Sequence, residues 1–104
     1  MLPPGRRETI EAALLRLAPA IPEHECSAIL DHAVDSRGLR TASPETAAWL
    51  SMVAYVRHQL TEYDELIAQG YDAESARFFV LDDMNAVLED WKVRRRIETE
   101  DDSS

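Results

Sequence analysis

"SPETAAWLSMVAYVRHQLTEYDELIAQG", residues 43–70, decides how this chain folds, because it reads either as one long helix or as two. Its start is explicit. Ser43 is a good N-cap, Pro44 takes the first helical position, where a missing N–H costs nothing, and Glu45 places an acid in the first turn. Its end is Gly70, the residue type that most often closes a helix. At about 100° per residue, Trp49, Met52, Val53, Val56, Leu60, Tyr63 and Ile67 all fall within about 100° of arc. One helix over about 44–69 therefore keeps a single apolar seam. The rival is a break at Thr61, where T-x-x-D resembles a capping box built with the shorter acid. The continuous helix is the expectation, since a break would have to preserve a seam that a straight helix gives without adjustment.

A straight helix scatters its reactive side chains. With Trp49 at zero, His58 falls near about 180°, beside Glu62 and Glu65 and facing water. Arg57 and Asp64 fall near about 80° and about 60°, two turns apart on one flank, while Tyr63 lies in the seam, where its hydroxyl needs a buried partner. His58, Asp64 and Tyr63 are the candidate catalytic residues of this stretch. On a straight helix they do not converge, so catalysis would need a group from elsewhere, His32 or Asp83.

Periodicity of 3.6 residues recurs outside this stretch, and no segment alternates as strands do. A first helix runs from about Arg6 to Leu17 with Ile10, Ala13, Leu14 and Leu17 on one face, and Pro19 stops it. Pro22 opens a second helix, striped by Cys26, Ile29, Leu30 and Ala33, which ends at Ser36-Arg37-Gly38. A final helix starts at the N-cap Asp72 and continues to about Arg95, with Ala76, Val80, Val87 and Trp91 as its stripe. Asp83 falls within that stripe. A carboxylate there needs a partner, with Arg57 the natural one and Tyr63 or Arg77 next. The expected architecture is all-α: a compact bundle of four to five helices, a long central helix at about 44–69, one domain over residues 1–97 and a disordered acidic tail over 98–104.

Composition narrows the function classes. Net charge is −9, with 20 acidic against 11 basic residues, and Glu98, Glu100, Asp101 and Asp102 belong to the closing tail. That balance disfavours a broad grip on phosphate backbones, although Arg37, Arg40 and KVRRR at 92–96 offer a local cationic surface for nucleic acid. The simplest role of KVRRR is to complement the negative end of its own helix. One cysteine, Cys26, excludes an intramolecular disulfide and any CxxC motif, and its place on an apolar face reads as an inert core thiol. No secretory leader or membrane-spanning stretch is evident, so a cytoplasmic location is expected. A metal site from His32, Asp35 and His58 needs a third ligand from a separate helix, and HExxH, GxSxG and phosphate-cradling glycine loops are absent; no cofactor is expected. Two features point to partners: Phe78 faces away from the final helix's stripe while Phe79 turns inward, and Tyr55 with Leu66 forms a second ridge on the long helix. They suit either a fully wrapped central helix or a dimer face.

Arg57-His58, Thr61, Tyr63-Asp64 and Leu66, followed by Ala76-Arg77 with Val80 and then Trp91, form an RHxxTxYDxL…ARxxV…W signature, joined by His32-Ala33 and Gly38-Leu39-Arg40. In these positions, from residue 32 to 96, the chain resembles a widespread bacterial and fungal group of small domains of unknown function. The resemblance implies no activity. It does imply that Arg57, His58, Thr61, Tyr63, Asp64 and Arg77 act together, and it raises the possibility of a bend near Leu60 that would fold them into one polar cluster. The leading expectation is a non-catalytic module that binds a protein partner or a second copy of itself, with Arg57, His58, Thr61, Tyr63, Asp64, Arg77 and Asp83 as its polar cluster. The alternatives are a small enzyme or metal-dependent hydrolase centred on His58, and nucleic-acid binding through Arg37, Arg40 and residues 92–96.

Overall fold

A computed structural model describes residues 5–98 of the chain. Five α-helices follow in order, α1 (Arg6–Leu17), α2 (Glu23–Asp35), α3 (Pro44–Leu60), α4 (Tyr63–Ala68) and α5 (Ala73–Asp90), with a single 3₁₀ turn at Arg37–Leu39. Among the described residues there is no strand. The fold is all-α. Helix α3 is the hub, with α1 and α2 packed on it, α4 following it, and α5 lying against both α3 and α4.

Local chemistry sets most of these boundaries. The Ser43 side chain accepts from the Thr46 amide at 3.1 Å, and Asp72 accepts from the Ser75 amide at 2.7 Å, each satisfying an amide left over at a helix start. Pro22 stands one place earlier than expected, as the N-cap of α2. The two hydrogen bonds from the Arg6 guanidinium to the carbonyls of Leu39 (2.6 Å) and Ala42 (2.9 Å) tie the start of α1 to the loop before α3. Ile10 and Leu14 of α1, Ile29 and Leu30 of α2, Met52 and Val56 of α3, and Val80, Met84 and Leu88 of α5 form the centre of the core. Cys26 is buried there, and burial foremost pushes its thiol up.

The expected helix over about 44–69 is corrected by the structure: α3 stops at Leu60 and α4 begins at Tyr63. Thr61 is fully extended (φ −134°, ψ 174°) and therefore cannot carry the helix onward. The seam changes hands at this break. Leu60 and Ile67, which a straight helix would bury, are exposed, while Tyr63 stays buried and Leu66 joins it.

The last helix is also shorter than expected, ending at Asp90 instead of about Arg95. The Val93 amide bonds to Leu88 O and the Lys92 amide to Glu89 O, which is a Schellman closure with Lys92 at the left-handed position, φ 65°. The same pair of bonds, Tyr71 N to Leu66 O and Gly70 N to Ile67 O, closes α4 around Gly70 at φ 104°. Glycine is at ease there; lysine is not. Lys92→Gly is therefore expected to raise stability by up to about 1 kcal/mol, the left-handed penalty less the entropy glycine adds to the unfolded chain. A chemical-denaturation midpoint compared with the parent checks it.

Beyond Lys92 the chain returns over the core. Val93 and Ile97 are buried while Arg94, Arg95 and Arg96 are exposed. Asn85 secures the return: its Nδ2 donates to Ile97 O at 3.0 Å and its Oδ1 accepts from the Ile97 amide at 2.8 Å. The basic stretch thus lies outside the helix whose end it was expected to neutralise. The tail from residue 99 on lies outside the described residues.

Candidate functional site

The break between α3 and α4 gathers side chains that a straight helix would disperse. Thr61 Oγ1 donates to the Arg57 carbonyl, left over in the last turn of α3, and accepts from the Tyr63 amide at 3.2 Å, one of the free amides of α4. His58 Nδ1 and Asp64 Oδ1 stand 2.6 Å apart across the break. The placement suits both termini, because His58 belongs to the last turn of α3 and Asp64 to the first turn of α4. Tyr63, buried between the helices, meets the His58 ring edge-on at 5.2 Å between centroids. The Arg57 guanidinium carbon lies 5.7 Å from the centre of the Tyr63 ring.

So Arg57, His58, Thr61, Tyr63 and Asp64 form one cluster, and the expectation that they do not converge is corrected. Its physical reason is the extended residue Thr61, which turns α4 so that Asp64 comes back to His58. His58 itself is exposed, as expected, with 45% of its side chain open, and Asp64 is open at 61%.

Asp83 is exposed, because the buried row through Ala76, Val80, Met84, Leu88 and Trp91 leaves it outside. The reason for expecting it to be charge-paired in the core falls away. Arg77 is half-buried on α5, and its charge contributes to holding the Asp72 carboxyl low.

Hydrogen bonds from Ser75 are the main cause of that lowering of Asp72 from its ordinary 3.8. A depressed carboxylate contributes stability that is present above its unfolded value and lost as pH falls through the folded one. The Asp72 cap should therefore weaken below about pH 4. Thermal midpoints followed against pH are expected to fall faster in acid for the parent than for Asp72→Asn, which keeps a neutral cap. Equal acid slopes would refute this.

Beside the break, α2 and α3 border a groove of ≈ 400 Å³ lined by Ala28, His32, Ala54, Tyr55, His58 and Gln59. At its side the Tyr55 hydroxyl donates to Glu25 at 2.9 Å; burial first, then this bond, push the phenol above its ordinary 10.0. His32 and His58 line the same groove, but Asp35 does not join them. Among the described residues no set of three or more His, Cys, Asp or Glu stands close enough to hold a metal ion.

A second surface lies on the outer side of α5. Phe78 and Phe79 are 64% and 55% exposed. Phe79 was expected to turn inward, but Val80, fully buried, fills that side of the helix. Exposed Tyr71 meets the Phe79 ring edge-on at 5.4 Å, and Phe79 meets Phe78 at 6.1 Å, so three rings form one patch. Leu66 is buried beneath the chain, and Tyr55 is only half-exposed; the second ridge expected from that pair is not formed.

Among the cations proposed for nucleic acid, Arg37 and Arg40 are exposed around the 3₁₀ turn, while the Arg95 guanidinium carbon sits 3.9 Å from the centre of the Trp49 ring. No described helix is long and apolar enough to cross a membrane. Asn85 and the second exposed phenylalanine are the residues that sequence reasoning missed. A signal for Asn85 existed: it sits between Met84 and Leu88 at helical spacing, a polar group on an apolar face that needs a partner.

Residues 13–92, more than three quarters of the chain, match the family described as "Uncharacterized conserved protein (DUF2293)". Neither a curated protein nor a solved structure matches significantly.

Proposed function

Because this chain belongs to the family described as "Uncharacterized conserved protein (DUF2293)", whose description assigns no activity, we propose its function from its surfaces: a protein-interaction module that docks a partner on the outer face of α5. The carrying observation is the adjacent, open pair Phe78 and Phe79 in ring contact with Tyr71. Exposed apolar rings in contact with one another mark interaction surfaces, and aromatic residues, phenylalanine included, are enriched in protein interfaces. On this reading the cluster at the α3–α4 break is a brace that sets the direction of α4 and hence of the patch beyond it. The partner is a protein or a second copy of the chain, in the cytosol. Nucleic acid is the weakest alternative, given a net charge of −9.

The test is a comparison of proteins co-purifying with the parent and with a Phe78→Ser/Phe79→Ser variant. A specific partner retained by the parent and lost by the variant is the expected result. Identical recovery, or a strictly monomeric parent that retains nothing, counts against the proposal.

One observation favours a second reading, acid–base chemistry at His58. Asp64 fixes one ring nitrogen, and His58 lines a groove of the size that holds small molecules. A thermal-shift screen distinguishes it: a small molecule that raises the melting temperature of the parent but not of His58→Asn supports chemistry there.

A further inference from the structure

The charges around the aromatic patch identify the chemistry of its partner. Neighbours on a helix surface stand three and four residues apart. On α5 this puts Glu74 and Asp82 on either side of Phe78, and Asp82 and Asp83 beyond Phe79. Glu74 and Ser75 join both phenylalanines in lining a shallow hollow of ≈ 250 Å³. The same exposed side continues through Ala86 to Glu89 and Asp90, and the last turn of α5 carries no basic residue. An apolar anchor point thus sits among acids, and the basic residue of α5, Arg77, is half-buried.

We propose that the occupant of this face is a cationic amphipathic segment of another protein, one that sets apolar side chains against Phe78 and Phe79 and lysines or arginines against Glu74, Asp82 and Asp83. The inference rests on the docking reading above and adds the class of partner. A second copy of this chain docked face to face would press these acids against their own kind, which costs affinity. A phosphate backbone or an anionic lipid surface meets the same repulsion. The chain's own basic stretch is already committed, since Val93 and Ile97 are buried on either side of its arginines.

The experiment uses the full chain, isotope-labelled, with three 18-residue helical probe peptides. One carries leucines on one face and lysines on the other, the second has glutamates in place of the lysines, and the third keeps the lysines but has serines in place of the leucines. The Leu/Lys peptide is expected to shift the amide resonances of residues 74–83. Its dissociation constant should rise about tenfold or more in Phe78→Ser/Phe79→Ser. It should also rise several-fold in Asp82→Asn/Asp83→Asn and with salt, as screening of exposed charges requires. All four replaced side chains are exposed, so both variants fold, and their amide spectra verify it.

If the Leu/Glu peptide binds the same residues as tightly, the charge inference is overturned while the docking face stands. If the Leu/Lys peptide binds equally to the parent and both variants, or the Ser/Lys peptide matches it, both the inference and the docking reading fall. A sedimenting dimer that Phe78→Ser/Phe79→Ser dissolves would assign the face to a second copy and overturn the inference alone.

Discussion

Cutting Tyr63 back to alanine is expected to destabilise the protein by about 3 kcal/mol or more, the usual loss when a buried aromatic ring leaves a cavity behind. In a domain whose whole stability is about 5–15 kcal/mol, that is a large fraction. The effect follows from what the ring touches. Tyr63 is buried at the start of α4, presents its edge to His58 and lies beneath the Arg57 guanidinium. Without it the short α4, only six residues long, loses one of its two buried side chains and retains Leu66 alone. Isolated helices of that length do not hold themselves. Tyr63→Phe keeps the ring and should preserve most of the stability, so the two variants compared by denaturation separate the ring's packing from its hydroxyl. A loss below about 1 kcal/mol for Tyr63→Ala would mean that α4 is positioned by something else.

The second large effect is at the other end of the fold. Asn85→Ala should cost about 2–4 kcal/mol, because it strands the amide and the carbonyl of Ile97 in a buried site with no replacement partner. The loss should be local before it is global. Freed from Asn85, the segment carrying Val93 and Ile97 separates from the core, and its amides, the Ile97 amide first, should exchange with solvent far faster than those of α3. Asn85→Asp tests the donor alone: it keeps an acceptor for the Ile97 amide but sets a carboxylate oxygen against Ile97 O. Hydrogen exchange that leaves the Ile97 amide as protected in Asn85→Ala as in the parent contradicts this account.

These two sites also mark where sequence stops being sufficient. The helical class, the bounds of α1, the buried stripe of α2 and the N-caps Ser43 and Asp72 follow from local rules, namely apolar period and side chains that accept from nearby amides, and the structure agrees with each. The break at Thr61 is different. A continuous seam through Leu60, Tyr63 and Ile67 and a broken one through Tyr63 and Leu66 both bury apolar surface, so periodicity alone does not choose between them. What chooses is a set of contacts across the break: Thr61 satisfying a carbonyl behind it and an amide ahead of it, and His58 meeting Asp64. The resemblance to an RHxxTxYDxL signature pointed to a bend near Leu60, and the helix does break there, whereas the angles on a straight helix did not point to one.

The end of α5 was hidden for a similar reason. Lysine at a left-handed closure is an uncommon choice, so without a glycine the pattern ran on to about Arg95. Asp83 was misplaced because Val87, half-buried, was counted in the stripe; the buried row passes instead through Met84 and Leu88 and turns Asp83 to solvent.

The central claim is that the RHxxTxYDxL stretch is an elbow, and proton–proton proximity tests it most directly. Nuclear Overhauser spectra of the full chain should show contacts between the His58 and Tyr63 rings, whose centroids are 5.2 Å apart, and an interruption at Thr61 in the sequential helical contacts that span residues i and i+3. An unbroken ladder of those helical contacts from Arg57 through Leu66, with no contact between the two rings, would contradict it.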